Sequence, residues 1–316
     1  MNRMPAKLRT AALLLTLCAA LPFCRAQGLS PRAYVVAPNH VNAVTFTYSF
    51  QDGQVVFTPS IPIQNAHGRI SSQLFTYFHT VDFFGRSSNI NITLPYGVGH
   101  FNGQVNGVEG KLYRSGLASV IGRFSVNLVG GASMEPREYA KWRQKLLVGT
   151  SLTVETPTGQ YDPARLINIG DKRWAFKPEV GLSRRWGNWI LDAYWAVWFF
   201  TANDDFFRKD PEGHGHNTQT QQPMGATEFH LSYNVTDRGW VSIDGNYWRG
   251  GATSVNGIET PTTLQANSRI GATAAIPVSK HQSIKASYSR GAYVTFGGDF
   301  QQVQFGWQYS WFGHPK

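Results

Sequence analysis

Large apolar residues alternate strictly with small or polar ones in the segment near the C-terminus, Gln301–Phe312. The apolar positions are Val303, Phe305, Trp307, Tyr309 and Trp311. Because successive side chains of a strand point to opposite faces, this period of two predicts an amphipathic β-strand. The apolar face must be covered, either by the core of a soluble β-sandwich or by lipid around a membrane barrel.

The same period recurs along the chain and defines twelve predicted strands in total. Most have about the nine to twelve residues that a tilted strand needs to cross a bilayer, and no apolar run reaches the roughly 18 residues of a transmembrane helix. The chain is therefore predicted to be all-β. The eleven strands before the last are Ala43–Gln51, Ser72–Phe83, Ser88–Tyr96, Leu117–Val129, Leu146–Glu155, Arg173–Trp186, Asn188–Phe200, Thr227–Val235, Trp240–Trp248, Ser268–Ile276 and Ser283–Arg290.

The connections between these strands alternate in length. Segments 186–188, 236–239 and 277–282 are short, whereas 156–172, 201–226 and 249–267 are long and rich in Gly, Pro and Asn. This asymmetry is typical of a transmembrane antiparallel up-and-down β-barrel, whose short turns lie in the periplasm. Segment 132–144 is longer than the other connections on that side, and Pro136 near its start predicts one short periplasmic helix.

The N-terminus has the features of a secretory signal peptide. Basic residues precede an apolar run over residues 11–21, and Ala26 supplies a small residue at the cleavage position. We therefore expect residues 1–26 to be removed after export. Residues 27–42 then form an N-terminal extension, and residues 43–316 form the barrel.

Both cysteines of the chain, Cys18 and Cys24, lie within this expected signal peptide. The mature chain would therefore have no thiol, which excludes disulfide scaffolds, cysteine zinc sites and cysteine nucleophiles. A lipoprotein signal is disfavoured, because Phe23 stands where a small residue is needed before Cys24.

The composition favours the barrel over the soluble sandwich. Charged residues make up 15% of the chain and aromatic residues 14%, with 32 glycines, as expected for a barrel whose outer face meets lipid. The mean hydropathy of −0.27 excludes a helical membrane protein. Removing the signal, with its four basic and no acidic residues, lowers the formal net charge from +10 to +6. That mild excess suits outer-membrane lipids as partners, and an exported chain would not meet nucleic acid.

The last predicted strand also resembles the C-terminal assembly signal of bacterial outer-membrane barrels. The residues that carry this resemblance are Gln304, Gly306, Tyr309 and Trp311. It implies recognition by the barrel-assembly machinery and location in the outer membrane of a Gram-negative bacterium. Four residues, 313–316, follow the final aromatic, where many barrels end.

Residues Leu147–Asp204 resemble a family of transporter-like outer-membrane proteins named for the MetA (meta-cleavage) pathway of phenol degradation. The resemblance implies a barrel that passes small hydrophobic or aromatic compounds, and it does not specify the substrate. The matching features are Pro157–Thr158–Gly159–Gln160–Tyr161–Asp162, Asn168–Ile169–Gly170, Arg173–Trp174, Lys177–Pro178–Glu179 and Phe200–Thr201 followed by Asn203.

Strand parity predicts which charged side chains face the lumen, since charges on the lipid face are costly. The lumen of a twelve-stranded barrel lies between the filled interior of eight strands and the aqueous channel of sixteen. An open path and a lumen plugged by its own side chains therefore both remain possible. Segments 27–42 and 52–71 are candidates to occlude the lumen, because both contain apolar residues. The predicted lumen-lining residues are Arg123, Lys177, Glu179, Arg185, Asp192, Glu228, His230, Asp244 and Lys285.

Two patterns suggest chemistry other than transport. His230 and Ser232, with Asn246 on the next strand, have the residue types of a membrane lipid hydrolase, but their parity places them in the lumen and not at the lipid. His214 and His216 could bind a divalent metal, although paired histidines in a Gly-containing loop are more often simply exposed. We therefore predict no catalytic residues, no metal and no cofactor.

The long connection 156–172 carries much of the family resemblance. Residues 156–159 are predicted to form a turn, because Pro157 fixes φ and Gly159 allows positive φ. This loop could fold into the mouth and shape entry, or it could pack as a brace on the barrel rim.

Overall fold

The computed structural model describes residues 28–56, 63–105, 108–165, 168–208 and 215–313. The expected signal peptide, Phe57 and His214 lie outside these ranges. In the described residues, no helix has the length and hydropathy of a transmembrane helix.

The described residues form seventeen strands, one α-helical turn, α1 (Pro136–Tyr139), and a 3₁₀ turn at Pro261–Thr263. The strands are β1 (Val41–Val56), β2 (Ile63–Phe83), β3 (Arg86–Val105), β4 (Val108–Leu117), β5 (Ile121–Val129), β6 (Leu146–Glu155), β7 (Ala175–Trp186), β8 (Trp189–Phe200), β9 (Asn203–Arg208), β10 (His216–Gln221), β11 (Met224–Asn234), β12 (Trp240–Gly250), β13 (Thr253–Val255), β14 (Ile258–Thr260), β15 (Gln265–Pro277), β16 (Gln282–Tyr293) and β17 (Gly297–Phe312).

Twelve strands form a closed antiparallel barrel, which confirms the predicted fold class. They follow the order β1, β2, β3, β5, β6, β7, β8, β11, β12, β15, β16 and β17. The first and last strands close the barrel in an unbroken register, from Val41 opposite Phe312 to Val56 opposite Gly297. A closed sheet leaves no unpaired strand edge in the membrane, where unsatisfied backbone groups are costly.

The barrel has two unlike ends, which we name the turn end and the loop end. The first barrel strand begins at the turn end, at Val41, and the last barrel strand ends there, at Phe312. The turn end also has tight connections, such as that between β7 and β8. The loop end carries the longer connections, including 156–174 between β6 and β7. In bacterial outer-membrane barrels the short turns face the periplasm.

Apolar side chains cover the outside of the barrel as the alternation predicts. On β17, Phe305 is 56% exposed and Trp307 44% exposed. The rings of Trp307 and Tyr309 stack at 6.5 Å, and those of Tyr309 and Trp311 at 5.9 Å. Lipid is the solvent that makes such an exposed aromatic surface stable.

The strands differ from their predicted lengths mainly at the loop end. The segment predicted as Leu117–Val129 is divided, since Leu117 ends β4 and β5 begins at Ile121. Strand β3 pairs with β5 over Ser88–Thr93 and with β4 over Tyr96–Val105. Strand β4 has polar residues on both faces, so it carries no alternation from which to predict it.

A second sheet of β14, β13, β10 and β9 occupies the predicted loops 201–226 and 249–267. These four strands are three to six residues long. They were missed because they are short and mostly polar, and hydrophobic periodicity is the main sequence signal for strands.

The predicted helix in segment 132–144 is present as the single turn α1. Glu135 and Glu138 form a capping box around its N-terminus, and Pro136 occupies the first turn. These are the standard start signals of a helix. The connection from β5 to β6 that contains α1 lies at the turn end.

Candidate functional site in the barrel lumen

The lumen contains a segment of the chain itself, residues 28–40, which we name the plug. Its backbone amides donate hydrogen bonds to side chains of the barrel wall: Ser30 N to Glu228 Oε2 at 3.2 Å, Arg32 N to Asp192 Oδ2 at 3.2 Å, and Ala33 N to the Tyr194 hydroxyl at 3.0 Å. These contacts replace the water that would otherwise solvate a peptide in a lumen. The N-terminal segment therefore lies inside the lumen and is hydrogen-bonded to its wall.

Tyr34 is the most firmly held residue of the plug. Its hydroxyl donates to Glu179 Oε1 at 2.9 Å and lies 3.1 Å from Ser151 Oγ. Its ring packs edge-on against Tyr194 with centroids 5.3 Å apart, and the Arg123 guanidinium lies 5.0 Å from the ring centroid. Buried to 2% exposure, Tyr34 combines apolar burial with a satisfied hydroxyl.

Two glycines in the wall make room for the Tyr34 ring. Gly149 on β6 and Gly181 on β7 are register partners. A Cβ atom at Gly149 would lie 2.3 Å from Tyr34 Cδ1, and one at Gly181 would lie 2.1 Å from Tyr34 Cε2. Any side chain at either position would overlap the ring, so the pair forms a notch, which we name the glycine notch.

The base of the plug, residues 36–40, is attached to the connection that contains α1. Asn39 N donates to Met134 O at 2.8 Å, and the Asn39 side-chain amide donates to Glu135 Oε1 at 3.1 Å. Val36 packs with Met134 and Leu147. The base is thus fixed at the turn end, while residues 28–35 extend into the lumen and form the tip.

Four carboxylates form a belt around the tip: Glu179, Asp192, Glu228 and Asp244. Glu179 accepts from Lys177 Nζ at 2.9 Å and lies 3.5 Å from Arg123 Nη2. Each belt residue lies on a different barrel strand, and all four were predicted from parity to face the lumen. The structure brings Glu179, Asp192 and Glu228 together on the plug.

Asp244 binds the barrel wall instead of the plug. It accepts hydrogen bonds from Ser242 Oγ at 2.8 Å and Thr273 Oγ1 at 2.7 Å. His230 Nδ1 lies 2.8 Å from Asp244 Oδ1, and its Nε2 lies 3.3 Å from Glu228 Oε2. The imidazole therefore lies between two belt carboxylates on neighbouring strands.

The hydrolase arrangement considered from the sequence is not assembled. His230 is engaged by Asp244 and Glu228, and Ser232 Oγ is buried without a hydrogen-bond partner in the part of the chain that the structure describes. Asn246 pairs in register with Glu228 and donates to Gly28 O of the plug at 3.3 Å. A serine nucleophile needs a base within hydrogen-bond reach, and Ser232 has none among the described residues.

At the turn end, the lumen opens into a cavity of about 1040 Å³, which we name the vestibule. Two predicted lumen residues, Arg185 and Lys285, line it, together with Arg32 and Val35 of the plug. Gly306 of the proposed assembly signal also reaches its wall, while Gln304 Nε2 lies 3.5 Å from Ser49 Oγ.

At the loop end, an aromatic cluster fills the lumen side of the wall. Trp198, Trp248, Met224 and Ala175 bury one another, with Phe200 packed against them. Lys177 Nζ lies 5.6 Å from the Trp198 ring centroid. The Trp248 indole donates to Gln265 Oε1 at 2.8 Å, whereas the Trp198 indole nitrogen is buried without a hydrogen-bond partner in the described chain.

The connection 156–172 packs against itself and the barrel rim. Gly159 and Gly170 approach so closely that a Cβ atom at Gly159 would lie 2.6 Å from Gly170 Cα. The Asn168 side chain accepts from Asp162 N at 2.9 Å and donates to Asp162 O at 3.1 Å. Burial raises the pKa of Tyr161 to about 12. These contacts correspond to the bracing role considered for the loop.

The other predicted occluding segment, 52–71, is strand throughout its described residues, 52–56 and 63–71. Val55 is buried with Ile70 and Phe300 near the loop end. In the described ranges, no group of three or more His, Cys, Asp or Glu side chains is arranged to hold a metal ion. His216 contacts Asp205, and His214 lies outside those ranges.

The sequence did not point to the glycine notch or to Tyr194. Isolated glycines inside predicted strands signal a close approach of other groups, and Gly149 and Gly181 are such positions. Which atoms approach them depends on the path of the plug, and no local pattern encodes that path.

Comparison with known proteins identifies the family. Residues 45–309 match the family model described as "Putative MetA-pathway of phenol degradation". No curated protein matches the sequence.

Among solved structures, the fold is similar to that of an outer membrane channel from Pseudomonas putida F1, with a TM-score of 0.72 and 13% identity over 90% of this chain and 100% of that one. The transport unit of the autotransporter AIDA-I from Escherichia coli gives a TM-score of 0.48 and 8% identity over 99% and 100% of the two chains. The matched residues span almost the whole barrel, and this chain belongs to the family of the putative MetA pathway of phenol degradation.

Proposed function

We propose that this chain is an outer-membrane channel for the passive passage of small hydrophobic or aromatic compounds, and that the plug is its removable closure. The observation that carries the proposal is the way in which the lumen is closed. The tip, residues 28–35, takes no part in the barrel sheet and is held by a few hydrogen bonds and the Tyr34 ring. A hydrogen bond to a carboxylate contributes about 1.5–3 kcal/mol net. Because none of these contacts belongs to the barrel sheet, the tip can leave while the barrel stays folded.

The chemistry of the lumen supports an aromatic or apolar solute. Beyond the belt, a solute would meet Trp198, Trp248 and Phe200 at the loop end. Aromatic side chains bind other aromatic rings through their faces and edges. The family description, which refers to phenol degradation, points in the same direction.

A structural barrel with a lumen plugged by the side chains of its own wall is the alternative, and removing the tip distinguishes the two. We expect deletion of residues 28–35 to raise single-channel conductance in planar bilayers several-fold, because the contacts to Asp192, Glu228 and Glu179 are lost while the base remains. The same variant is expected to increase the uptake of a neutral aromatic such as naphthalene by a Gram-negative host.

A variant in which Gly and Ser replace residues 28–35 one for one is the matched control for chain length, and it is expected to behave like the deletion. Heat-modifiable migration in gels establishes that each barrel is folded. If both folded variants conduct no more ions than the wild type and uptake stays at the host background, the barrel is structural and the channel proposal is wrong.

A further inference from the structure

The vestibule carries charges of predominantly one sign. Among the described residues, its lining contains a single carboxylate, Asp237. None of its basic side chains forms a salt bridge in the described part of the chain. The basic residues are Arg32, Arg143, Arg185, Arg238 and Lys285.

Backbone carbonyl groups hold several of these cations in place without neutralising them. Arg185 Nε donates to Gly187 O at 2.7 Å, Arg238 Nη2 donates to Ser279 O at 2.8 Å, and Arg143 Nη1 donates to Trp142 O at 2.8 Å. Lys285 extends into the cavity with its side chain exposed. Fixed positive charges within low-dielectric walls concentrate anions from the surrounding water.

Apolar and aromatic groups share this lining. The Arg32 guanidinium lies 4.4 Å from the ring centroid of Trp240, and its Nη2 donates to Asn234 Oδ1 at 2.7 Å. A guanidinium has five N–H donors, so one hydrogen bond does not exhaust its capacity to bind a carboxylate. Trp142 and Ile190 line the same space. At about 1040 Å³, the cavity is as large as sites that take small organic ligands.

We propose that the vestibule binds small organic anions that join a carboxylate to an aromatic body, of which benzoate is the simplest. Its cations attract the carboxylate, and its aromatic wall takes the ring. The Asp192 carboxylate, two residues beyond Ile190 on β8, repels the same anion from the deeper lumen.

Binding in the vestibule requires no passage through the barrel, so the outcome of a binding test does not depend on the channel proposal. The test uses the full chain in a neutral detergent and follows the ¹⁹F NMR line width of 4-fluorobenzoate, with protein-free micelles as the baseline. Two ligands of similar shape, neutral 4-fluorobenzyl alcohol and cationic 4-fluorobenzylamine, serve as controls. We expect 4-fluorobenzoate to bind more tightly than either control. Its affinity should fall as salt is raised from 0.1 to 1 M, because the screening length falls from about 10 to about 3 Å.

The combined substitution of Arg185→Gln and Lys285→Gln is expected to weaken 4-fluorobenzoate binding about fivefold or more, the change that corresponds to one moderate ion pair. Arg184→Gln is the matched control, because Arg184 precedes Arg185 on β7, is exposed and is not part of the vestibule lining. It should leave the affinity unchanged.

Equal binding of benzoate and the alcohol by the wild-type protein would overturn the proposal. So would equal losses of affinity in the Arg184 and the Arg185/Lys285 variants. Because the ligand comparison and the salt dependence need only the wild-type chain, a variant that fails to fold leaves the test complete.

Discussion

Substituting Gly181→Val should open the barrel without shortening the chain. A Cβ atom at this position would lie 2.1 Å from the Tyr34 ring, closer than any real contact. Overpacking of this kind costs about 1–3 kcal/mol, which corresponds to about 5–150-fold in the equilibrium between bound and released tip. We therefore expect a higher single-channel conductance and faster proteolysis of the N-terminal segment.

The Gly245→Val variant is the matched control, since a Cβ atom at Gly245 has no neighbour closer than 3.9 Å. Its conductance should equal that of the wild type. If the glycine notch acts through Tyr34, adding Tyr34→Ala to Gly181→Val should change conductance little further, because both changes remove the same interaction. A folded Gly181→Val barrel that stays closed would show that the notch does not hold the plug.

The second large effect is expected on the outer face of β17. Phe305, which pairs with Tyr48 and Ala286, lies within the exposed apolar band. An arginine facing lipid near the middle of a membrane costs about 2–4 kcal/mol. We expect Phe305→Arg to lower the free energy of unfolding in lipid vesicles by about this amount, measured by urea titration with tryptophan fluorescence.

The neighbouring substitution Gln304→Arg tests the direction of the side chain. Gln304 faces the lumen, where it accepts from Ser287 Oγ at 3.2 Å and donates to Ser49 Oγ at 3.5 Å. Losing one such hydrogen bond costs about 0.5–1.5 kcal/mol, and the introduced charge stays out of lipid. Equal destabilisation by the two arginines would contradict the assignment of the two faces.

The plug changes what the belt residues do. In an empty barrel, four lumen carboxylates would line a path for cations. Here Glu179, Asp192 and Glu228 accept hydrogen bonds from Tyr34, Arg32 and Ser30 of the plug. A buried carboxylate is tolerated only when it is hydrogen-bonded or paired, and the plug supplies part of that compensation. The belt carboxylates and the plug therefore depend on each other.

The alternation of apolar and polar residues was sufficient to predict the barrel, its twelve strands and the outward face of β17. A strand that borders lipid must be apolar at every second residue, so the alternation in the sequence predicts both the strand and its lipid-facing side. Strands β4, β9, β10, β13 and β14 escaped prediction because they lie outside that environment and have polar residues on both faces or very few residues.

The sequence by itself determined the all-β class and the set of charged side chains that share the lumen-facing parity. It also showed that residues 27–42 contain apolar positions able to occlude a lumen. Only the tertiary structure decided that Tyr34 enters the glycine notch and that the vestibule cations stay unpaired by carboxylates in the described chain. The physical reason is the range of the interactions. The alternation that predicts a strand is contained in a few consecutive residues, whereas Ser30 of the plug and Glu228, which it contacts, are 198 residues apart in the sequence.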